Sequence, residues 1–119
     1  MNNLDYLIKT SQTNPETITF QETISIIDEF YHYTPTEFTN GLNDESITNQ
    51  AGSNEGSCKI FAFARLHNFN SKQTLNCFGD YYRSDVLQNP DNEDHANIRT
   101  FIKYGTQGIQ FVDEALTKK

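Results

Sequence analysis

The segment from Ser57 to Phe69 (SCKIFAFARLHNF) constrains the fold more than any other part of this chain. The residues from Ile60 to Ala64 are all apolar, so the strict alternation of a half-buried strand does not describe them. Ser57 before the run and two alanines within it favour a helix. A helix that is apolar nearly all round must be buried. We therefore predict that this helix lies at the centre of the fold.

Four further segments show helical spacing or helix boundaries. The first two cover residues 3–12 and 21–32, and the second ends before Thr34-Pro35 because proline disfavours helical geometry in the preceding residue. The third covers residues 72–88, with Ser71 as its predicted cap and Pro90 beyond its end. The fourth covers residues 95–104, and Gly105 is its predicted left-handed C-cap.

Three very short strands are predicted between these helices, at residues 18–20, 36–40 and 109–111. Residues 42–56 form the one long loop, and we expect the polar tail from Asp113 to fray. The predicted fold class is α+β, a single helix-rich domain over residues 1–119 with about five helices and a small sheet of short strands. One domain is what a chain of 119 residues allows.

The composition fits a folded domain with an aromatic core. Only 35% of the residues are hydrophobic, but nine Phe and six Tyr supply large rings for burial. The two cysteines, Cys58 and Cys77, are predicted to be free thiols, because nothing in the sequence marks export to an oxidising compartment.

The charge of the chain is uneven. The net charge is −7, and residues 1–59 hold two basic and nine acidic side chains, whereas residues 60–119 hold seven of each. This pattern excludes the clustered Lys and Arg of a nucleic-acid footprint or a polybasic membrane-surface segment. No apolar run is long enough to span a membrane, and the N-terminus lacks a signal-peptide pattern. Anionic ligands are expected near the cationic side chains Lys59, Arg83 and Arg99.

The start of the central helix is a candidate anion site. In the segment Gly52–Lys59, glycines precede Ser57 and Lys59, and the free N–H groups of a helix start attract negative charge. The carboxylate of Glu55 in the same segment would oppose a phosphate group. The spacing is not that of a P-loop, which needs Gly and Lys adjacent and a hydroxyl after the Lys. The alternative interpretation is an ordinary capped helix after a flexible loop.

Cys58 is a candidate nucleophile. A cysteine in the first turn of a helix beside Lys59 is expected to have a lowered pKa, with His95 as its base and Asp94 or Asp91 orienting the histidine. Asn40 or Asn54 would be polar helpers. The competing interpretation is that Cys58 is a small core residue and that His95 packs against or caps a helix.

Arg83 and Arg99 are candidate anion clamps, since a guanidinium can bind an anionic group with two donors. They could equally form structural salt bridges between the last two helices. His32, His67, His95 and the two cysteines include no close ligand pair such as CxxC or HxxxH, so we predict no metal site and no cofactor.

Three stretches of the sequence together resemble the HopJ type III effector protein family: residues 34–41 (TPTEFTNG), 52–66 (GSNEGSCKIFAFARL) and 73–105 (QTLNCFGDYYRSDVLQNPDNEDHANIRTFIKYG). One departure is that the family usually has a Trp after the glycine at Gly105, where this chain has Thr106. The resemblance implies a small bacterial protein without an established activity.

These observations favour a small soluble domain that binds a partner protein or a small anionic ligand, rather than an enzyme. The predicted ligand-binding residues are Asn40, Asn54, Ser57, Lys59, Arg83 and Arg99. The alternative is a Cys-dependent enzyme built on Cys58 and His95. A helical pattern begins near Asn3, where a secreted effector usually has a disordered segment, so we expect a cytoplasmic protein, with type III secretion as the alternative.

Overall fold

A computed structural model describes residues 2–119, and within them five α-helices pack with two small antiparallel sheets. The predicted α+β class is confirmed. The helices are α1 Asn3–Thr13, α2 Phe20–Phe30, α3 Glu55–Leu66, α4 Ser71–Asn76 and α5 Ala96–Tyr104, with a π-helical segment at Tyr81–Val86. The strands are β1 Tyr31–Tyr33, β2 Phe38–Asn40, β3 Ile47–Asn49, β4 Gln110–Phe111 and β5 Leu116–Lys118.

Helix α3 occupies the centre of the core, as its apolar sequence predicts. Cys58 and all residues from Ile60 to Ala64 are buried. The ring of Phe61 contacts three other core rings, with centroid distances of 6.0 Å to Phe38, 5.5 Å to Phe78 and 5.0 Å to Phe101. Since these rings come from three other parts of the chain, α3 is the element around which the remaining segments pack. The helix begins at Glu55, two residues before the predicted cap Ser57.

The predicted strand at residues 18–20 is wrong. Thr19 is instead the N-cap of α2, and its hydroxyl accepts a hydrogen bond from the Glu22 N–H. Ile18 is fully buried between a short 3₁₀ turn and this cap. The alternation of apolar and polar residues arose from a buried link followed by a helix start, and not from a strand.

The chain end was expected to fray, and this prediction is also wrong. Strand β5 pairs with β1, so that Tyr31 lies opposite Lys118 and Tyr33 opposite Leu116. This pairing also explains why α2 ends at Phe30 and not at residue 32, because Tyr31–Tyr33 adopt strand geometry. Ala115 and Leu116 are buried by it. The tail is polar, but two apolar side chains and a backbone ladder hold it.

The second sheet has the strand order β3-β2-β4 and orders part of the predicted long loop. Phe38 lies opposite Asn49 on one side and Phe111 on the other. Strand β3 was not predicted, since a run of three residues with only one apolar member carries no sequence signal.

The predicted helix over residues 72–88 is interrupted. Helix α4 ends at Asn76, and Gly79 has a left-handed backbone (φ +62°) before the π-helical segment begins. A Cβ at Gly79 would lie 2.6 Å from the backbone nitrogen of Phe20, so only glycine fits where this interruption packs against the start of α2. The N-cap of α4 is Asn70, which forms a capping box with Gln73, and not Ser71 as predicted. Gly105 ends α5 at the predicted position with a positive φ of 67°, but its ψ of −157° is not that of the predicted left-handed cap.

Candidate functional site

The N-termini of α3 and α5 border the same groove. Each helix follows a residue in the left-handed conformation, Asn54 (φ 50°) and His95 (φ 52°), and neither side chain caps its own helix. The first N–H groups of both helices, at residues 55–57 and 96–98, have no hydrogen-bond acceptor within residues 2–119. Two positive helix ends with unused donors therefore meet at one place.

The groove between them has a volume of about 380 Å³. Its polar lining comes from the two helix starts. Its apolar lining comes from α2, β3, the segment before and within the π-helix, and Ala96 and Ile98 of α5. The lining includes Phe20, Asn54, Ser57, Tyr81, His95 and Asn97. The lining contains no Asp, Glu, Lys or Arg, although the chain as a whole carries a net charge of −7.

Phe20 and Tyr81 form an aromatic wall of the groove. Their ring centroids are 5.0 Å apart in an edge-to-face arrangement, and Tyr81 is 40% exposed. Gly56 permits this wall, because a Cβ at that position would lie 2.8 Å from Phe20 Cζ. The glycine of the predicted anion site thus serves to bring an aromatic ring over the start of α3.

His95 is held by acidic neighbours. Its Nε2 lies 3.0 Å from Asp85 Oδ2 and 3.9 Å from Asp94 Oδ2, and its ring centroid is 5.2 Å from that of Tyr81. The sequence suggested Asp94 or Asp91 as the orienting acid, but Asp85 of the π-helical segment makes the closer contact. Tyr81 and Asp85, which both contact His95, are four residues apart on one face of their segment. This spacing is the sequence signal that could have identified them as neighbours at one site.

A network of four asparagines lies beside the groove. Asn97 Oδ1 accepts hydrogen bonds from Asn40 Nδ2 (3.0 Å) and Asn49 Nδ2 (3.2 Å), and Asn97 Nδ2 donates to Asn49 Oδ1 (2.9 Å). Asn49 Oδ1 also accepts from Asn54 Nδ2 at 2.7 Å. Asn40, Asn49 and Asn97 are buried, and Asn40 Oδ1 has no donor among residues 2–119. The network ties the left-handed residue before α3 to the first turn of α5.

Cys58 does not line the groove. The side chain is 1% exposed, and its Sγ lies 3.9 Å from the Thr36 carbonyl oxygen as a weak donor. Burial raises the pKa of the Cys58 thiol, so the predicted lowering by the helix start and Lys59 is wrong. Desolvation of the thiolate outweighs the attraction of a lysine that is engaged elsewhere. The geometry thus separates Cys58 from the groove that His95 lines.

The predicted cationic residues do not converge on the groove. Lys59 Nζ lies 2.9 Å from Asp28 Oδ1 and 4.9 Å from the ring centre of Tyr33. Arg83 donates to the carbonyl oxygens of Asn76 (3.2 Å) and Ile18, and to Asn76 Oδ1 at 2.9 Å. These bonds join the π-helical segment to α4 and to the chain before α2.

Arg99 holds the loop before α5. Its Nε donates to the Asp94 carbonyl oxygen and its Nη2 to Asp94 Oδ1, both at 2.6 Å. Asp94 is accordingly the partner of Arg99 more than of His95, and the pair holds the pKa of the Asp94 carboxyl below its usual range. Of the predicted site residues, the structure brings Asn54, Ser57 and His95 to the groove and places Asn40 in the network beside it. Cys58, Lys59, Arg83, Asp94 and Arg99 make structural contacts elsewhere.

The HopJ type III effector protein family model matches residues 4–116, nearly the whole chain. This chain belongs to the HopJ family. The crystal structure of the unknown function protein VPA0580 is similar over 100% of this chain and 95% of that one, with 45% sequence identity and a TM-score of 0.92. No curated protein matches the chain significantly.

Two further properties of the described part of this HopJ family member concern metal-ligand clusters and membrane-spanning helices. Within residues 2–119, no three His, Cys, Asp or Glu side chains are grouped so that they could hold a metal ion. Among the same residues, no helix is long and apolar enough to cross a membrane.

Proposed function

We propose that this HopJ family member binds a small anionic ligand in the groove between α3 and α5. The observation that carries the proposal is the meeting of two helix N-termini with unused N–H groups in one groove. Backbone donors at helix starts favour phosphate or carboxylate groups, and two such starts provide donors from two directions. The absence of carboxylates from the groove lining supports the same choice of ligand.

The second part of the proposed ligand is aromatic or apolar. Phe20 and Tyr81 offer an edge-to-face wall, and Tyr81 presents 40% of its surface to solvent. Planar rings gain from stacking on exposed aromatic side chains. His95, held by Asp85 at 3.0 Å, stands between this wall and the start of α5 and can donate to the anionic group when it is protonated.

The alternatives have less support. The Cys-dependent enzyme requires Cys58 and His95 to share a cleft, and Cys58 is buried outside the groove. Export through a type III system, which the family description names, stays a prediction for this chain, and binding in the groove does not depend on it.

Phenyl phosphate is the probe that tests this proposal. Inorganic phosphate tests the anionic part of the ligand alone, and phenol tests the aromatic part alone. In an NMR titration of the ¹⁵N-labelled protein, saturable shifts are expected at the amides of Gly56, Ser57, Ala96 and Asn97. Phosphate alone is expected to shift the same amides at higher concentration.

The matched variants are His95→Asn and His32→Gln. Asparagine tolerates the left-handed backbone at position 95, so the first variant removes the imidazole without adding strain. It is expected to weaken phenyl phosphate binding by about tenfold, the loss of one charge-assisted hydrogen bond. His32 is exposed and does not line the groove, so its replacement should leave binding unchanged. The absence of saturable shifts at the helix starts would refute the proposal.

A further inference from the structure

A second cavity lies beside the C-terminal half of α3, and it shares no lining residue with the groove. Its volume is about 350 Å³, within the range of about 300–1,000 Å³ that small-molecule sites occupy. The apolar lining comes from α3, the turn after it, α5 and the residue before β4: Phe61, Ala64, Phe69, Phe101 and Ile109. The polar lining residues are Arg65, Asn68, Thr74 and Thr106.

The buried polar residue of this cavity, Thr74, already has a hydrogen-bond partner in the protein. Thr74 is fully buried, and its hydroxyl donates to the Asn70 carbonyl oxygen at 2.8 Å. Phe61 and Phe101 are also buried, so the depth of the cavity is apolar. Arg65, Asn68 and Thr106 are exposed and form its polar rim. An apolar interior with polar groups at one edge suits a ligand that is apolar at one end and polar at the other.

Arg65 differs from the other two arginines of the chain. Arg83 and Arg99 each donate to several carbonyl or carboxylate oxygens, as described above. The guanidinium of Arg65 has no hydrogen-bond or ion-pair partner within residues 2–119. Asp113 and Glu114 share a neighbouring groove with Arg65 but lie beyond ion-pair distance of it. No carboxylate lines the cavity itself.

We propose that this cavity binds a small amphiphilic carboxylate, with its apolar body against the phenylalanines and its carboxylate on Arg65. A guanidinium binds a carboxylate with two parallel hydrogen bonds, and Arg65 has its donors available for this geometry. The charge of Arg65 and the absence of acids in the lining select an anion, and the phenylalanines select an apolar body. The site is separate from the groove and goes beyond the function proposed for it.

Octanoate is the probe for this site, with octan-1-ol as the neutral ligand of the same chain and acetate as the anion without one. In an NMR titration, octanoate is expected to give saturable shifts at Ala64, Arg65, Asn68 and Thr106. Acetate should not saturate. Because the amides of Gly56 and Ala96 report on the groove, failure at one site is distinguishable from failure at the other.

The test variants are Arg65→Gln and Thr106→Phe, with Lys9→Gln as the matched charge control. Arg65→Gln should weaken octanoate binding about tenfold or more and leave octan-1-ol binding unchanged, since it removes only the charge-assisted contact. Thr106→Phe places a ring at the exposed rim and should weaken both ligands. Lys9 is exposed on α1 and lines no part of the cavity, so Lys9→Gln should bind octanoate normally. Equal octanoate binding by Arg65→Gln and the unmodified protein, or no saturable shifts around the cavity, would overturn the proposal.

Discussion

Replacing Asn49 with Ala should destabilise this protein strongly, although Asn49 is polar and belongs to a strand of three residues. Asn49 is the centre of the asparagine network, and its side chain is 2% exposed. It makes hydrogen bonds of 2.7 Å to Asn54 and of 2.9 and 3.2 Å to Asn97. The substitution removes all three, together with a longer bond of 3.5 Å from Asn49 Nδ2 to the Phe38 carbonyl oxygen, and leaves Asn97 Nδ2 without an acceptor.

The expected loss follows from these bonds. The two bonds to buried Asn97 are worth about 1 kcal/mol each, and the buried donor left without a partner adds about 1–2 kcal/mol, so the free energy of unfolding should fall by about 3–4 kcal/mol. This is a large part of the roughly 5–15 kcal/mol that stabilises a typical domain. The melting temperature should fall by about 10–15 °C for a chain of this size.

Urea unfolding followed by far-UV circular dichroism measures this loss, since the chain has no Trp for fluorescence. Gln50→Ala is the matched control: Gln50 is the next residue, is exposed and makes no side-chain hydrogen bond in residues 2–119. It should change the free energy of unfolding by less than about 0.5 kcal/mol. In a double-mutant cycle with Asn97→Ala, the two bonds between Asn49 and Asn97 should give a coupling energy of about 1–2 kcal/mol. A loss below about 1 kcal/mol for Asn49→Ala, or additivity in the cycle, would refute the network as a stabilising unit.

Two further predictions concern the turn at Gly79 and the pH dependence of stability. Gly79→Ala should cost at least about 2 kcal/mol more than Gly52→Ala in urea unfolding. Both glycines have positive φ, but a Cβ at Gly79 would meet Phe20 N at 2.6 Å and one at Gly52 would meet nothing within 4 Å; equal costs would contradict the clash. Burial lowers the pKa of His67, whose Nε2 lies 2.7 Å from the Tyr31 hydroxyl oxygen. In the unfolded chain His67 has the ordinary histidine pKa of about 6.5, so the unfolded state binds more protons than the folded state near that pH. The contribution of His67 to stability should therefore be complete above about pH 6.5 and fall as the pH drops below it. Urea unfolding of His67→Gln should show a smaller pH slope from pH 7 to 5, and an unchanged slope would contradict the assignment.

Much of the helical framework was predictable from local patterns. The apolar run from Ile60 to Ala64 predicts a buried helix because no partly exposed element could accommodate it. Gly105 predicts the end of α5 because glycine tolerates the positive φ that the chain adopts there. Such predictions succeed where the cause of the structure lies within a few residues of its effect.

The errors in the fold came from contacts between distant segments. The tail from Asp113 is polar, but β5 is held by pairing with β1 more than eighty residues away. The helix predicted over residues 72–88 has the right apolar spacing, yet it is interrupted at Gly79, where the backbone at Phe20 leaves room only for glycine. Neither the pairing of the tail with β1 nor the contact of Gly79 with Phe20 can be identified from the local sequence.

For the candidate site, local sequence patterns were enough to identify the two helix starts at which Asn54, Ser57 and His95 lie. The tertiary structure decided which of the charged residues are available. Lys59 and Arg99 are held by Asp28 and Asp94, and Arg83 by backbone carbonyl oxygens, whereas Arg65, which no sequence pattern singled out, has no such partner in residues 2–119. Helix starts are local features, but the pairing of a charge depends on which distant oxygen the fold brings within hydrogen-bond distance.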